Sequence, residues 1–308
     1  MAKKFWAKGK GGKFDRIVLL GIIITLIAIS LTLWGPLRKF RVAEEKKPAI
    51  QTKKQEPLQK KAGKKDKKEI KEAKKRAEGL VAGSFERTVL VAIVIDDLGQ
   101  DLKKAKEVLT LPGKVTLAVL PGLAQSKNIA ELAGQAGREV LLHLPMEPLK
   151  DHEKTRTPGT LSAGMTPMAF LNTVSEDVES VPGAAGVNNH EGSALTENKE
   201  AMKFLMAELK SRNLFFLDSL TNPKSVAYAT AIEFGMKAAR RDVFLDNDTD
   251  HPASIRKQLD ELVEIARNHG KAIGIGHPHP VTLSELRKWL DENDNQGIEV
   301  VPVSRLMN

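Results

Sequence analysis

Cysteine is absent from this chain of 308 residues. Its absence excludes disulfide bonds, thiolate metal sites and a cysteine nucleophile. The sequence also lacks a Gly-x-Gly-x-x-Gly pattern and a P-loop, so nucleotide binding has no support. A Gly-x-Ser-x-Gly elbow is missing too, which disfavours a serine triad. The chemistry that remains is that of carboxylates, imidazoles and the metals they bind.

Positive charge is concentrated at the N-terminal end. The formal net charge is +9, but residues 1–80 hold 23 Lys and Arg against 8 Asp and Glu, whereas residues 81–308 hold 25 against 31. This acidic balance argues against nucleic acid as a ligand of the second part, because neutralising phosphates requires a basic face. The lysine-rich part could still contact an anionic membrane or cell-wall polymer.

A long uncharged segment follows a basic tail of residues 1–16. Residues 17–37 carry no charge and are apolar over enough length to span a membrane as a helix, with Trp34 at an interfacial position. The run is too long for a typical signal peptide and no clear cleavage site follows it, so an uncleaved anchor is favoured. Basic residues flank both ends. The charge pattern therefore permits a single-pass protein whose C-terminal domain lies on the outer, periplasmic or extracellular side of the cytoplasmic membrane.

Residues 38–85 predict a linker. They are rich in Lys and Glu and offer almost nothing apolar to bury, a composition that stays disordered or forms a lone solvated helix. A self-repelling spacer is favoured over an anchor to anionic lipid or wall polymer.

From residue 86 to residue 308, short β-branched or leucine-rich runs alternate with longer amphipathic stretches. The predicted strands are 89–95, 115–120, 139–144, 185–188, 214–218, 242–245, 272–276 and 299–302. The predicted helices are 101–110, 125–136, 167–180, 197–212, 225–235, 254–269 and 282–294. This alternation predicts a parallel α/β sheet, and its seven or eight units favour a (β/α) barrel. An open doubly wound sheet is the alternative.

Nearly every predicted strand ends in a residue that can bind a metal, titrate or donate a hydrogen bond. In a parallel barrel these ends converge on one face, where the site is built. A single polar residue after a strand is often only a helix cap or turn former, but six such groups in one domain indicate a site. The groups are Asp96 and Asp97, His143 with Glu147, Asn188 to Glu191, Asp218, Asp246, and His277 with His279.

The adjacent carboxylates of Asp96 and Asp97 make the strongest case for a site. Neighbouring carboxylates repel each other unless a cation lies between them or one stays protonated. His143 and His277 directly follow apolar strands, which favours metal binding or acid–base work over a core role. His190, in a polar loop, suits a metal ligand or a substrate contact.

These residue types allow metal-assisted hydrolysis. A hard divalent metal accepts Asp and His ligands and keeps one position open for water. The metal polarises a carbonyl group, a carboxylate removes the proton of the water, and a histidine protonates the leaving group. The residues themselves do not name a substrate.

Six motifs follow one another in the domain. They are Ile-Val-Ile-Asp-Asp-Leu-Gly at 93–99, Leu-His-Leu-Pro-Met-Glu-Pro at 142–148, Gly-Val-Asn-Asn-His-Glu-Gly-Ser at 186–193, Phe-Phe-Leu-Asp-Ser at 215–219, Asp-Val-Phe-Leu-Asp-Asn at 242–247 and Gly-Ile-Gly-His-Pro at 274–278. Together they resemble the divergent polysaccharide deacetylase family. The resemblance implies a distorted (β/α) barrel, one divalent metal of the zinc type and a glycan substrate.

The resemblance also implies catalytic roles for individual residues. Asp96 corresponds to the catalytic base and His277 to the general acid, while Asp218 is a charge partner of the histidine or a substrate contact. We assign further substrate contacts to Asn188, Asn189, Asp246 and His279.

For the metal, the resemblance implies Asp97 and His143 as ligands. Glu147 stands where the superfamily's His-x-x-x-His motif has its second histidine, and we include it in the predicted ligand set. His190 offers the missing nitrogen and completes that set. A second departure from the superfamily pattern is that the chain has no Arg-x-Pro-Tyr segment.

The sequence thus predicts a metal-dependent hydrolase that removes N- or O-acyl groups from an envelope polysaccharide. The alternative is a non-catalytic, membrane-anchored protein that keeps the barrel to bind glycan or to act as a scaffold. A glycosidase is a poor match, because that reaction needs two carboxylates on opposite sides of the bond rather than an adjacent pair.

Overall fold

The structure, a computed structural model, describes residues 88–149, 157–293 and 296–308. In this part of the chain the strands are β1 (Val89–Leu98), β2 (Thr116–Val119), β3 (Val140–Met146), β4 (Gly186–Glu191), β5 (Phe215–Asp218), β6 (Ala238–Arg240), β7 (Val243–Phe244), β8 (Lys271–Gly276) and β9 (Ile298–Val300). The helices are α1 (Leu102–Leu109), α2 (Ser126–Gln135), α3 (Pro167–Ser180), α4 (Lys199–Ser211), α5 (Ala227–Glu233), α6 (Pro252–His269) and α7 (Pro280–Glu292).

Each predicted strand and helix is present, with boundaries shifted by a few residues. Strand β6 was missed. Its Ala-Ala-Arg sequence has no β-branched or aromatic residue, so it carries no local strand signal. Only its parallel pairing with β5 identifies it as a strand.

The strands pair in parallel in the order β6-β5-β4-β3-β2-β1-β8-β7, and β9 pairs with the start of β1. The outermost strands, β6 and β7, are consecutive in the chain and are separated only by Arg241 and Asp242. The backbone N–H of Arg241 donates to Asp218 O, and that of Asp242 donates to Ile273 O. These two residues therefore link both ends of a sheet that is curled into a half-barrel, consistent with a distorted barrel.

Apolar side chains form two separate cores on the two faces of the sheet. On β1, Ile93 and Ile95 belong to the outer core, which includes side chains from the helices. Ala92 and Val94, one residue out of phase, belong to an inner core made only of strand residues and the C-terminal segment with Val303 and Leu306. Because the helices contribute to one face only, the arrangement is that of a barrel rather than of a doubly wound sheet.

The predicted basic tail 1–16, membrane anchor 17–37 and linker 38–85 lie outside the described residues. Within the described ranges, no helix combines the length and the apolar character that a membrane crossing requires.

Candidate functional site

The carboxyl ends of several strands surround a cavity of about 430 Å³. It is lined by Asp96 and Asp97 from β1, His143 from β3, His190 from β4 and His277, which follows β8. The predicted convergence of strand ends on one face is therefore present.

Three atoms in this cavity that could ligate a metal lie at nearly equal distances from one another. Asp97 Oδ1 is 3.2 Å from His143 Nε2 and 3.1 Å from His190 Nδ1, and the two nitrogens are 3.2 Å apart. Adjacent ligands bound at 2.0–2.2 Å around one tetrahedral or octahedral cation are separated by about 2.8–3.6 Å. The three residues could therefore hold one divalent metal ion, and Asp/His donors suit such an ion.

The end of β1 explains how two neighbouring carboxylates reach the same cavity. In a regular strand, Asp96 and Asp97 would point to opposite faces of the sheet. The pairing with β2 shifts register between Ile95 and Leu98, and Asp97 adopts a positive φ of 57°. This bulge turns both side chains toward the cavity, at the cost of an unfavourable backbone conformation.

Asn188 fixes the orientation of the His143 ring from behind. Its amide nitrogen donates to Asp96 Oδ1 at 2.9 Å and to Ser219 Oγ at 3.2 Å, which leaves its oxygen 3.0 Å from His143 Nδ1. Because that oxygen can only accept, Nδ1 must carry the hydrogen. When the ring is neutral, the lone pair of Nε2 then faces Asp97 and His190, as metal ligation requires.

Burial and charge act in opposite directions on the pKa values of Asp96, Asp97 and His143. Burial raises the pKa of Asp96 above its ordinary value, against the effect of the neighbouring histidines. Burial also opposes ionisation of Asp97, but hydrogen bonds with His143 and His190 hold its pKa well below the usual range. The pKa of His143 is raised, because the carboxylates of Asp96 and Asp97 outweigh its burial.

His277 and Asp246 form a pair of interacting side chains close to Asp97. The Nδ1 atom of His277 is 3.0 Å from Asp246 Oδ1, while Nε2 lies 3.8 Å from Asp97 Oδ2. Asp246 Oδ2 accepts hydrogen bonds from the His277 backbone N–H and from Thr282 Oγ1. Burial alone would lower the pKa of His277, but the bond to Asp246 raises it to about 9. The ring is therefore charged at neutral pH and can donate a proton from Nε2 into the cavity.

Residues 93–307 match the family described as divergent polysaccharide deacetylase. The chain belongs to this family.

Other proteins resemble this chain over most of its C-terminal domain. It is 38% identical over 218 residues to the protein YibQ of Escherichia coli (strain K12), a match that covers 71% of this chain and 67% of YibQ. It is 36% identical over 223 residues to a protein of Haemophilus influenzae (strain ATCC 51907 / DSM 11121 / KW20 / Rd), covering 72% of this chain and 78% of that one. The crystal structure of the protein ATU2773 from Agrobacterium tumefaciens C58 superimposes with a TM-score of 0.68 at 29% identity, covering 72% of this chain and 91% of that one.

Two residues predicted from the deacetylase resemblance lie apart from the cluster. The carboxylate of Glu147 accepts hydrogen bonds from Ser162 Oγ and the backbone N–H of Ala163, outside the group of donor atoms. Asp218 accepts hydrogen bonds from the backbone N–H of Leu220, from Ser225 Oγ and from the backbone N–H of Tyr228 in the first turn of α5. The structure therefore brings His190, and not Glu147, to the three-atom group, and gives His277 a different carboxylate partner.

The residues predicted as substrate contacts differ in accessibility. Asn188 has no exposed surface, so it is out of reach of a substrate, and the carboxylate of Asp246 is bonded to His277 and Thr282. Asn189 lines the cavity and accepts from the backbone N–H of Ser219. His279 is exposed beside the ring of His277, with 5.9 Å between their centroids.

The structure adds cavity residues to which sequence reasoning assigned no role, among them Arg241, Phe244 and Glu191. Arg241 directly precedes the Asp242-Val-Phe-Leu-Asp246 motif, so its place beside a recognised motif was a usable signal. Glu191 belongs to the predicted polar group that follows β4, where only its neighbours received a role. Asp97, Glu191 and Leu220 all adopt positive φ and all line this cavity, a concentration of backbone strain that is typical of functional sites.

Proposed function

We propose that this member of the divergent polysaccharide deacetylase family is a metal-dependent deacetylase that hydrolyses N- or O-acyl groups of an envelope polysaccharide. The observation that carries the proposal is the set of three donor atoms, Asp97 Oδ1, His143 Nε2 and His190 Nδ1, separated by 3.1–3.2 Å. Zinc is the ion we propose, because it binds imidazole and carboxylate ligands with this spacing. When bound, the ion polarises the acyl carbonyl and lowers the pKa of a water molecule.

Asp96 is the proposed base that takes the proton from the attacking water. It is buried beside the metal-binding group, with Oδ2 3.6 Å from His143 Nε2. Burial raises its pKa, which makes its carboxylate a better proton acceptor than an exposed aspartate. Asn188 donates to Asp96 Oδ1, so Oδ2 remains for the proton transfer.

His277 is the proposed acid that protonates the leaving amine or hydroxyl. With a pKa of about 9 it holds a proton throughout the neutral range. The bond from Nδ1 to Asp246 turns Nε2 toward the cavity and stabilises the charged ring. Asp96 and His277 thus supply the two proton transfers that cleavage of an amide or ester requires.

The proposed location is the outer side of the cytoplasmic membrane. The uncharged segment 17–37 supports a membrane anchor, and the charged linker 38–85 supports a tether between membrane and domain. An envelope glycan would be within reach of a domain held in this way.

Acetate release from an acetylated chitooligosaccharide by the full-length protein tests the function. We expect release from zinc-loaded protein, loss after chelation, and recovery when zinc is restored. Asp97→Asn should abolish acetate release, because it removes the carboxylate that is proposed to bind the metal together with the two histidines. Asp101→Asn is the matched control, since asparagine caps α1 as well as aspartate does and the residue lies outside the cavity.

Zinc-loaded protein that binds the oligosaccharide but releases no acetate would overturn the proposal. That outcome would support the alternative of a non-catalytic glycan-binding protein.

A further inference from the structure

Arg241 is the one lysine or arginine among the described residues that line the cavity. It lies in the two-residue link between β6 and β7, where the half-barrel has its seam, and its side chain is partly buried. The proposed chemistry gives it no part.

The guanidinium group of Arg241 is held in a fixed position. Nε donates to Ser219 O at 2.8 Å and Nη2 to Leu220 O at 3.1 Å, and Cζ lies 5.1 Å from the ring centroid of Phe244. Two carbonyls and an aromatic face orient the group, but no carboxylate of the described residues forms an ion pair with it. Within the described part of the chain, Nη1 makes no hydrogen bond and is available as a donor.

The nearest carboxylates accept hydrogen bonds from groups other than Arg241. Asp218, Asp96 and Asp242 act on Arg241 through space, yet each accepts a hydrogen bond from another group. The ion pairs formed among residues 88–149, 157–293 and 296–308 do not include Arg241. Partly buried charges are usually paired, so a preoriented guanidinium without a contacting anion, in the wall of a cavity, indicates an anionic ligand.

We propose that Arg241 binds a carboxylate carried by the substrate, so that the preferred substrate is an acidic, carboxylate-bearing glycan. The proposal rests on the proposed function for the identity of the site as a glycan site. A carboxylate suits the planar guanidinium better than a neutral hydroxyl, because each hydrogen bond between them is charge-assisted. The two backbone bonds of Arg241 reduce the entropy lost when the ligand binds.

A matched pair of acetylated oligosaccharides tests the proposal. One contains uronic acid, and the other is the same oligosaccharide after reduction of its carboxylates to alcohols. We expect the zinc-loaded, full-length wild type to prefer the acidic form by about 10- to 100-fold in kcat/KM, the range expected for one charge-assisted interaction. The preference should shrink as the salt concentration rises, as it does for partly exposed charges.

Substitutions then test whether Arg241 is the residue that causes this preference for the acidic form. Arg241→Met should remove most of it, and Arg241→Lys should keep a part, because the charge stays while the fork of donors is lost. Arg240→Met is the matched control: this neighbouring arginine is exposed on β6 and outside the cavity, so the preference should stay at the wild-type value. If Arg241→Met fails to fold, the wild-type ratio and Arg241→Lys decide the matter.

Equal use of the two oligosaccharides by the wild type would overturn the inference, and so would an unchanged preference in folded Arg241→Met. If neither oligosaccharide releases acetate, their binding to the wild type and to Arg241→Met is compared by calorimetry. Binding that prefers the acidic form through Arg241 would support the inference while the proposed function fails. Acetate release without a preference for the acidic form would support the proposed function and overturn the inference.

Discussion

Asn188 contacts both the proposed base and a proposed metal ligand while having no exposed surface itself. Its amide oxygen selects the tautomer of His143, and its amide nitrogen holds Asp96. Such supporting partners matter for metal sites nearly as much as the ligands do. Asn188 therefore acts through its neighbours, whereas the sequence had suggested a substrate contact.

Asn188→Ala should weaken zinc binding by about 10- to 100-fold, because the His143 ring loses the group that orients it. Calorimetric titration of the metal-free, full-length protein with zinc measures this. Asn268→Ala, on the exposed end of α6, is the control and should bind zinc as the wild type does. An unchanged affinity in Asn188→Ala would show that the ring is held without it.

The pair of His277 and Asp246 makes a prediction about pH. His277 can act as an acid only while it is protonated, so kcat/KM should fall as the pH rises through about 9. Asp246→Asn removes the charge that raises this pKa, so the alkaline limb should move to lower pH by about 1–3 units. Rate profiles of zinc-saturated protein measure the limb, with Asp248→Asn, a partly exposed carboxylate of the same loop, as the control. A limb that stays in place in Asp246→Asn would remove His277 from the proposed role.

At the scale of elements, the end of β1 stores the strain that brings Asp96 and Asp97 together. Gly99 follows the bulge with a φ of 141°, and a Cβ there would lie 3.0 Å from the carbonyl oxygen of Leu120. A side chain at this position would push β1 away from the loop that follows β2.

Gly99→Ala should lower the free energy of unfolding by about 1–3 kcal/mol, because alanine disfavours this conformation and lacks the space. Gly134→Ala is the control: it lies in α2 with nothing within 4 Å of the added Cβ, so it should be neutral or stabilise by up to about 1 kcal/mol. Urea unfolding of both variants measures the difference. Equal stability of the two variants would contradict a strained, close-packed end of β1.

Helix α3 carries a buried carboxylate without a hydrogen-bond partner for Oδ2 among the described residues, that of Asp177. Burial raises its pKa from 3.8 to about 8, with a contribution from Glu176. The folded protein therefore holds a proton that the unfolded chain has already released between these values. Stability should fall as the pH rises through this window and level off above about 8.

Asp177→Asn lacks that titration. At pH 9 it should be more stable than the wild type by about 1–3 kcal/mol, the cost of an unsatisfied buried charge, and the gap should close toward pH 4. Unfolding in urea at a series of pH values checks this, with Glu179→Gln, exposed on the same helix, showing no such trend. A gap that does not change with pH would mean that Asp177 is paired in solution.

At the scale of the whole molecule, much of the fold followed from the sequence because strand and helix periodicities differ clearly. The proposed roles of Asp97 and His277 could also be predicted, since both lie at the end of a strand of a parallel sheet. His143 was found because it directly follows an apolar run, although β3 continues past it to Met146. The remaining site depends on register, which a single sequence does not contain. His143 pairs with Asn188 on β4, so His190 lies two residues farther toward the cavity, whereas Glu147 comes after β3 has ended.

Asp246 illustrates the same limit. Both Asp218 and Asp246 follow short strands, and nothing in their local sequence ranks one above the other. The order of strands decides, because β7 pairs with β8 and thereby brings Asp246 beside His277, while β5 pairs with β4 and β6. The place of Arg241 at the seam follows from that order as well.

Anomalous scattering at the zinc edge, from crystals of the zinc-loaded protein, tests the central claim most directly. The account predicts one strong peak per chain within about 2.0–2.2 Å of Asp97 Oδ1, His143 Nε2 and His190 Nδ1. Asp246, His277 and His279 form the second group of potential ligands in the described part of the chain, and this group should stay empty. A peak at that second group, or no ordered zinc at the first, would contradict a hydrolase built around Asp97.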